Sequence, residues 1–211
     1  MTLSPEPSNL YIIGAHCTGK TTLVEALRNH PSAHLSRGIS GLNTACPVII
    51  DEVVRTVMRT DRFTAHSVRR SDAGLELQKR TLRAQFNAEN ELDNDWFISD
   101  RSGIDPIVYA GFFLGRSAAE ELTALEEWHV LRGRMKTALV IVCQPGNENW
   151  LSSDGVRMTC SSIEEWIMLG QAFRAALQEQ GIDFVAIPGE MEDLEQRVQF
   201  VEQLLRSPRR V

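Results

Sequence analysis

At 211 residues the chain suits one well-buried α/β domain and is short for two independent cores, so 1–211 reads as one domain with flexible tails at 1–8 and 206–211. Hydrophobic residues make up 43% and charged residues 24%, which argues against a disordered or fibrous chain, and the formal net charge of -6 argues against a surface that grips DNA. No apolar run approaches the roughly 20 residues needed to cross a bilayer, and Met1-Thr2-Leu3-Ser4-Pro5-Glu6 is not a secretory leader, so a cytoplasmic or nuclear protein is expected.

In chain order, Asn9 to Ile13 reads as a buried strand that runs into a glycine-rich turn, and a helix follows from Lys20 to about Asn29 with Leu23, Ala26 and Leu27 on one face. The stretch His34 to Pro47 reads as a loop feeding a second strand, Val48-Ile49-Ile50, which ends at Asp51-Glu52. Val53, Val57 and Met58 suggest a short helix, and Leu75, Leu77, Leu82 and Phe86 a long amphipathic one from about Ser71 to Leu92. Trp96-Phe97-Ile98 is a third strand closed by Ser99-Asp100-Arg101. Helices are expected around 104–113 and over about 118–135, then a fourth strand at 138–142. After a Pro-, Gly-, Asn- and Ser-rich loop from Gln144 to Thr159, Ser162 caps a helix to about Gln180 with Glu165 at the capping-box position, and Gly181 stops it. Phe184 to Ile187 is a fifth strand and Glu190 to Leu205 a terminal helix. Strands apolar throughout and separated by helices predict a three-layer α/β fold with a five-stranded parallel sheet.

The turn after the first strand is Gly14-Ala15-His16-Cys17-Thr18-Gly19-Lys20-Thr21, followed by Thr22, and it matches G-x-x-x-x-G-K-[ST]. The glycines allow unusual dihedrals and close backbone approach, Lys20 meets the β and γ phosphates, and the Thr21 hydroxyl ligates magnesium. The helix beginning at Lys20 adds N-terminal amides that favour an anion. These features predict a P-loop that binds ATP or GTP with Mg2+. Cys17 reads as a small residue tolerated in the loop, and Cys17, Cys46, Cys143 and Cys160 are too scattered for a zinc site or a disulfide framework.

Phosphoryl transfer needs a carboxylate near the metal at the end of a strand beside the P-loop strand. Asp51-Glu52 and Asp100-Arg101 compete. Chain order makes Asp100, with Thr21, the magnesium-side group and Asp51 or Glu52 the acceptor-side acid or base, with the reverse assignment kept as the alternative. Arg101 is placed on a phosphate or carboxylate, and Asp105 either contacts substrate or starts a helix. In the late loop, Arg157 is the candidate lid arginine that closes over the transferring group. Trp150 and Trp166 read as core or lid packing, and Arg206, Arg209 and Arg210 as a frayed tail.

Together Gly14 to Thr22, Asp51-Glu52-Val53-Val54-Arg55, Asp100 to Pro106 and Asp154-Gly155-Val156-Arg157 make the chain resemble AAA-type P-loop ATPase domains related to the ribosylnicotinamide-kinase (NadR-like) family. The resemblance implies one nucleotide- and magnesium-binding domain with Glu52 and Arg55 near an acceptor, Asp100 near the metal and Arg157 in the lid. No nucleotidyltransferase or DNA-binding segment is read in the chain, so activity on nicotinamide riboside is not carried over.

The expected function is therefore transfer of the γ-phosphoryl group of ATP to a small hydroxyl-bearing acceptor such as a nucleoside, with Lys20, Asp51, Glu52, Asp100 and Arg157 as the catalytic set and the segment 63–78 lining the acceptor pocket. The alternative is a nucleotide-dependent binding module or switch. A conventional GTPase would need a guanine-reading Asn/Thr-Lys-x-Asp element after the fourth strand, where Val142-Cys143-Gln144-Pro145 stands instead. A ring-forming mechanical ATPase, which Asp51-Glu52 superficially suggests, would need a helical subdomain after the fifth strand.

Overall fold

The computed structural model describes residues 9–29, 47–92, 96–151 and 160–206. Its centre is a five-stranded parallel sheet in the order β2-β3-β1-β4-β5, from β1 (Leu10–Ile13), β2 (Val48–Ile50), β3 (Phe97–Asp100), β4 (Leu139–Cys143) and β5 (Val185–Ile187). Three strands are buried at every position: β1 and β4 are apolar throughout, as suits a covered parallel sheet, while β3 turns polar at its end with Ser99 and Asp100. The helices are α1 (Lys20–Asn29), α2 (Val53–Thr60), α3 (Ser71–Asn90), α4 (Ile104–Leu114), α5 (Arg116–Thr123), α6 (Glu126–Thr137), α7 (Ile163–Gln180) and α8 (Leu194–Arg206). Among the described residues no helix is long and apolar enough to cross a membrane.

Alternation along the strands divides the core. Leu10, Ile12, Ile98, Leu139 and Ile141 face the layer of α1 and α8, where they meet Leu23, Leu27, Val198 and Val201. Tyr11, Ile13, Phe97, Val140 and Val142 face the other layer, packing with Leu82, Ile107, Leu131 and Phe173. A buried polar network pins α3 to that face. The Tyr11 hydroxyl donates to Glu89 at 2.8 Å, and the Gln85 amide donates to Glu89 at 2.9 Å and to Ser99 at 3.1 Å.

The sequence placed one helix over 118–135, but the structure has two. The Thr123 hydroxyl donates to the carbonyl of Glu120 at 2.9 Å, competing with the backbone, and Leu125 turns to an extended conformation before α6. The break lets both Leu122 and Trp128 reach the core. At α7 the capping box is half formed: Ser162 accepts from the Glu165 amide at 3.2 Å, but the Glu165 carboxylate takes the Ser161 amide and a bidentate pair with Arg69. Gly181 ends α7 in the left-handed region, as expected. Arg206 is the last residue of α8 and pairs with Glu202 at 3.6 Å, so it is not part of a tail.

Candidate active site

The turn from β1 into α1 forms the cradle. Gly14 has φ 132°, and a Cβ there would lie 2.4 Å from the carbonyl oxygen of Cys143 on the adjacent β4. Gly19 has φ 79°, and its Cβ would lie 2.9 Å from the guanidinium of Arg197. Both positions thus need glycine for conformation and for space. Cys17 holds φ 58° with a side chain, a sparsely populated conformation of the kind that collects at functional turns. The Thr18 hydroxyl donates to the Ala15 carbonyl at 2.9 Å, and the Lys20 ammonium donates to the same oxygen. Burial, then the nearby Arg101, push the Lys20 ammonium down to about 8. Cys17, Thr18, Gly19, Lys20, Thr21 and Thr22 line the resulting trough.

Asp100 stands at the end of β3, and β3 pairs directly with the P-loop strand, with Asp100 opposite Ile12. It shares strand parity with Ile98 and therefore faces α1, where it accepts a hydrogen bond from the Thr21 hydroxyl at 2.6 Å. Its other oxygen is buried with no hydrogen-bond partner among the described residues. Burial pushes its carboxyl up, against the pull of Lys20 and Arg101. A hydroxyl and a carboxylate side by side, one oxygen unspent, fit magnesium held with nucleotide phosphates.

The two neighbouring acids after β2 separate. Asp51 has the parity of Ile49, points to the α1 side and forms a surface pair with Arg28 of α1 at 3.0 Å, with its side chain 87% exposed. Glu52 has the parity of Ile50 and turns to the opposite layer. There it accepts from Arg101 Nε at 2.5 Å and from Arg55 Nε at 2.6 Å. Burial alone would raise the Glu52 carboxyl, but Arg101, Arg55 and Lys20 outweigh it and hold the group well below the usual carboxylate range. Of the two acids expected beside the acceptor, only Glu52 lines the site.

Arg101 leaves the sheet with φ 87° and is buried between Glu52 and Asp105, donating to Asp105 at 3.1 Å. Asp105 also accepts from the Ser102 amide at 2.8 Å and the Ser102 hydroxyl at 3.1 Å, so its helix-start and site roles coincide. Beyond this cluster opens a cavity of about 610 Å³, its mouth included, walled by α2, α3 and α4. Glu52 and Arg101 line both the trough and the cavity. His16 and Arg55 are in the cavity wall, and the segment 63–78 contributes Val68, Leu77 and Gln78.

Sequence reasoning missed Tyr109 and Arg197. Tyr109, one turn beyond Asp105, lies against the Arg101 guanidinium at 5.7 Å and 3.3 Å from His16 Nδ1; its place on the inner face of α4 was the available signal. Arg197 on α8 donates to the Thr18 carbonyl at 2.9 Å and stacks over Trp150 at 4.7 Å, tying the last helix to the cradle. No local pattern marks it. Trp166 is fully buried and donates to the His16 carbonyl at 2.7 Å, a packing role as read from sequence. Arg157 lies outside the described residues.

Among solved structures the chain is similar to the NadR protein in complex with NR, at TM-score 0.65 and 19% identity, covering 97% of this chain and 54% of that one. The chain thus spans about half the length of that relative. It is similar to deoxyadenosine kinase from M. mycoides, at TM-score 0.59 and 14% identity over 93% of this chain and 98% of that one. Shikimate kinase from Acinetobacter baumannii matches at TM-score 0.54 and 13% identity over 96% and 94%. At these identities the likeness establishes the fold of the P-loop small-molecule kinases. Comparison with curated proteins returns no match. A family model described as an AAA domain matches residues 9–197, from the first strand to the terminal helix, and the chain belongs to that family.

Proposed function

We propose that the protein is a kinase that moves the γ-phosphoryl group of ATP to a hydroxyl of a small acceptor. The observation that carries this reading is the shared border of trough and cavity: Glu52 and Arg101 line both, so a donor in one and an acceptor in the other would meet at a carboxylate and a guanidinium. A binding module needs only the trough.

In this reading the P-loop amides and Lys20 hold the donor phosphates, and Arg197 keeps the loop backbone in place. Thr21 and Asp100 would hold a magnesium ion, which would supply charge neutralisation at the donor phosphates. Glu52, kept ionised by its two arginines, accepts a hydrogen bond from the acceptor hydroxyl and orients its oxygen at the phosphorus. The new O–P bond forms as the bond to the β-phosphate oxygen breaks, ADP leaves, and the hydroxyl proton passes through Glu52 to solvent. In a loose transition state that proton departs late, so a weakly basic carboxylate suffices. Arg101 is placed to steady charge on the transferring group.

The test is nucleotide turnover with magnesium, ATP and GTP separately, with and without a panel of nucleosides and phosphorylated metabolites. Acceptor-dependent ADP formation that disappears in Lys20→Ala supports the kinase. Tight nucleotide binding with no acceptor-stimulated turnover across the panel retires it in favour of a nucleotide-dependent binding module.

A further inference from the structure

The terminal helix buries a charge for which the fold provides no paired carboxylate among the described residues. Arg197 on α8 is 2% exposed, and its hydrogen bonds go to two carbonyls: Nη1 donates to Thr18 at 2.9 Å and Nε donates to Met191. Trp150 covers the guanidinium at 4.7 Å, and Nη2 is buried with no hydrogen-bond partner among the described residues. Glu192, the carboxylate that acts on this charge, accepts from Asn147 at 3.0 Å instead. Burying a cation without a paired carboxylate is costly, and such a cost beside a functional turn calls for a compensating anion.

A Cβ on Gly19 would lie 2.9 Å from Nη1, so the guanidinium rests directly against the loop. It stands behind that loop, because the trough beyond is lined by Cys17 to Thr22 with Glu52 and Arg101. The peptide between Thr18 and Gly19 is trans, so its carbonyl and its amide point in opposite directions. With the carbonyl turned back to Arg197, the Gly19 amide is turned into the trough. A charged donor on the carbonyl also polarises the peptide and strengthens its N–H as a donor. The guanidinium charge, one peptide away, adds a field that favours an anion there.

We propose that Arg197 is a positioning residue for polyphosphate: from behind the trough it aims the Gly19 amide at the phosphate chain, and the bound phosphates supply the counter-charge that α8 lacks. Phosphate binding and the docking of α8 are therefore coupled, each strengthening the other. This rests on the nucleotide reading of the cradle and is independent of the acceptor.

The full-length chain is titrated calorimetrically with tripolyphosphate and with a non-hydrolysable ATP analogue, both with magnesium. Arg197→Met weakens both ligands by at least about tenfold, and Arg197→Lys, which keeps a charge and a donor, weakens them less. Val201→Ala removes apolar packing from the same helix, so it lowers the melting temperature but changes both affinities less than about twofold. In the wild-type chain tripolyphosphate slows amide exchange in α8 at least about threefold more than in α6, a measurement that stands even if Arg197→Met does not fold. Unchanged tripolyphosphate affinity in Arg197→Met, an equal loss in Val201→Ala, or no added protection of α8 overturns the proposal. A loss confined to the ATP analogue overturns it as well, by assigning Arg197 and Trp150 to the base. A wild-type chain that binds neither ligand retires the nucleotide reading and this inference with it, whereas binding through Arg197 without acceptor turnover retires the kinase reading alone.

Discussion

The cradle and the cavity border one another but are built in opposite ways. The cradle is one continuous turn, Gly14 to Thr22, whose hydrogen bonds run mostly within itself or to the ends of its neighbouring strands. The cavity draws on α2, α3, α4 and the ends of β2 and β3, and its ionic cluster joins Glu52 to Arg101 across 49 positions. A site made from consecutive residues carries its geometry in its local sequence. A site made from distant elements depends on the packing of the sheet, and damage to it spreads into stability.

The contrast is tested first at Lys20. Lys20→Ala should weaken nucleotide binding and abolish turnover, by about a hundredfold or more, with little loss of stability because the lysine is buried at a cost. Fluorescent-nucleotide titration and thermal melting check the two halves. If melting falls as far as binding, the cradle is not the self-contained unit described here.

Glu52→Ala should do the reverse, leaving ATP binding nearly intact, cutting acceptor-stimulated turnover by about a hundredfold, and destabilising the fold by about 3–5 kcal/mol because Arg101 is left buried without its closest partner. Urea denaturation separates this from Glu52→Gln, which keeps the hydrogen bonds and should recover much of the stability but little of the turnover.

A smaller effect follows from the Lys20 ammonium, pushed down to about 8 from its ordinary 10.5. Between these pH values the unfolded chain binds more protons at this position, so its contribution to stability rises with pH. Nucleotide phosphates favour the charged form, so affinity in the cradle should fall as pH rises above about 8. Denaturation midpoints and nucleotide affinities from pH 7 to 10 should therefore move in opposite directions, the midpoint and the Kd both rising, and a Kd that fell as the midpoint rose would contradict the assignment. Smallest of all is Asp51→Asn. With an exposed pair to Arg28 as its recorded contact, it should change turnover less than about twofold and stability by less than about 0.5 kcal/mol.

Part of what separates Asp51 from Glu52 was countable in the sequence. Side chains alternate along a strand, so Asp51 follows Ile49 to one face and Glu52 follows Ile50 to the other. What could not be counted was which face carries the cavity, because that depends on which helices cover it. The order of the strands was argued from the chain and holds: β3 lies beside β1, which brings Asp100 to Thr21 and leaves β2 at the edge. The broken helix at Thr123 escaped notice because both halves carry apolar residues at helical spacing.

The sequence by itself determined the parallel sheet, the glycine-rich cradle and the place of Asp100 at the end of a strand, since apolar strands, a glycine-rich turn and a helix start are local facts of spacing and conformational freedom. Only the tertiary structure decided that Arg197 buttresses a loop 179 positions away and that Glu52 is clamped between two arginines at the border of trough and cavity. Each of those depends on burial, and burial is a property of the elements packed around a residue.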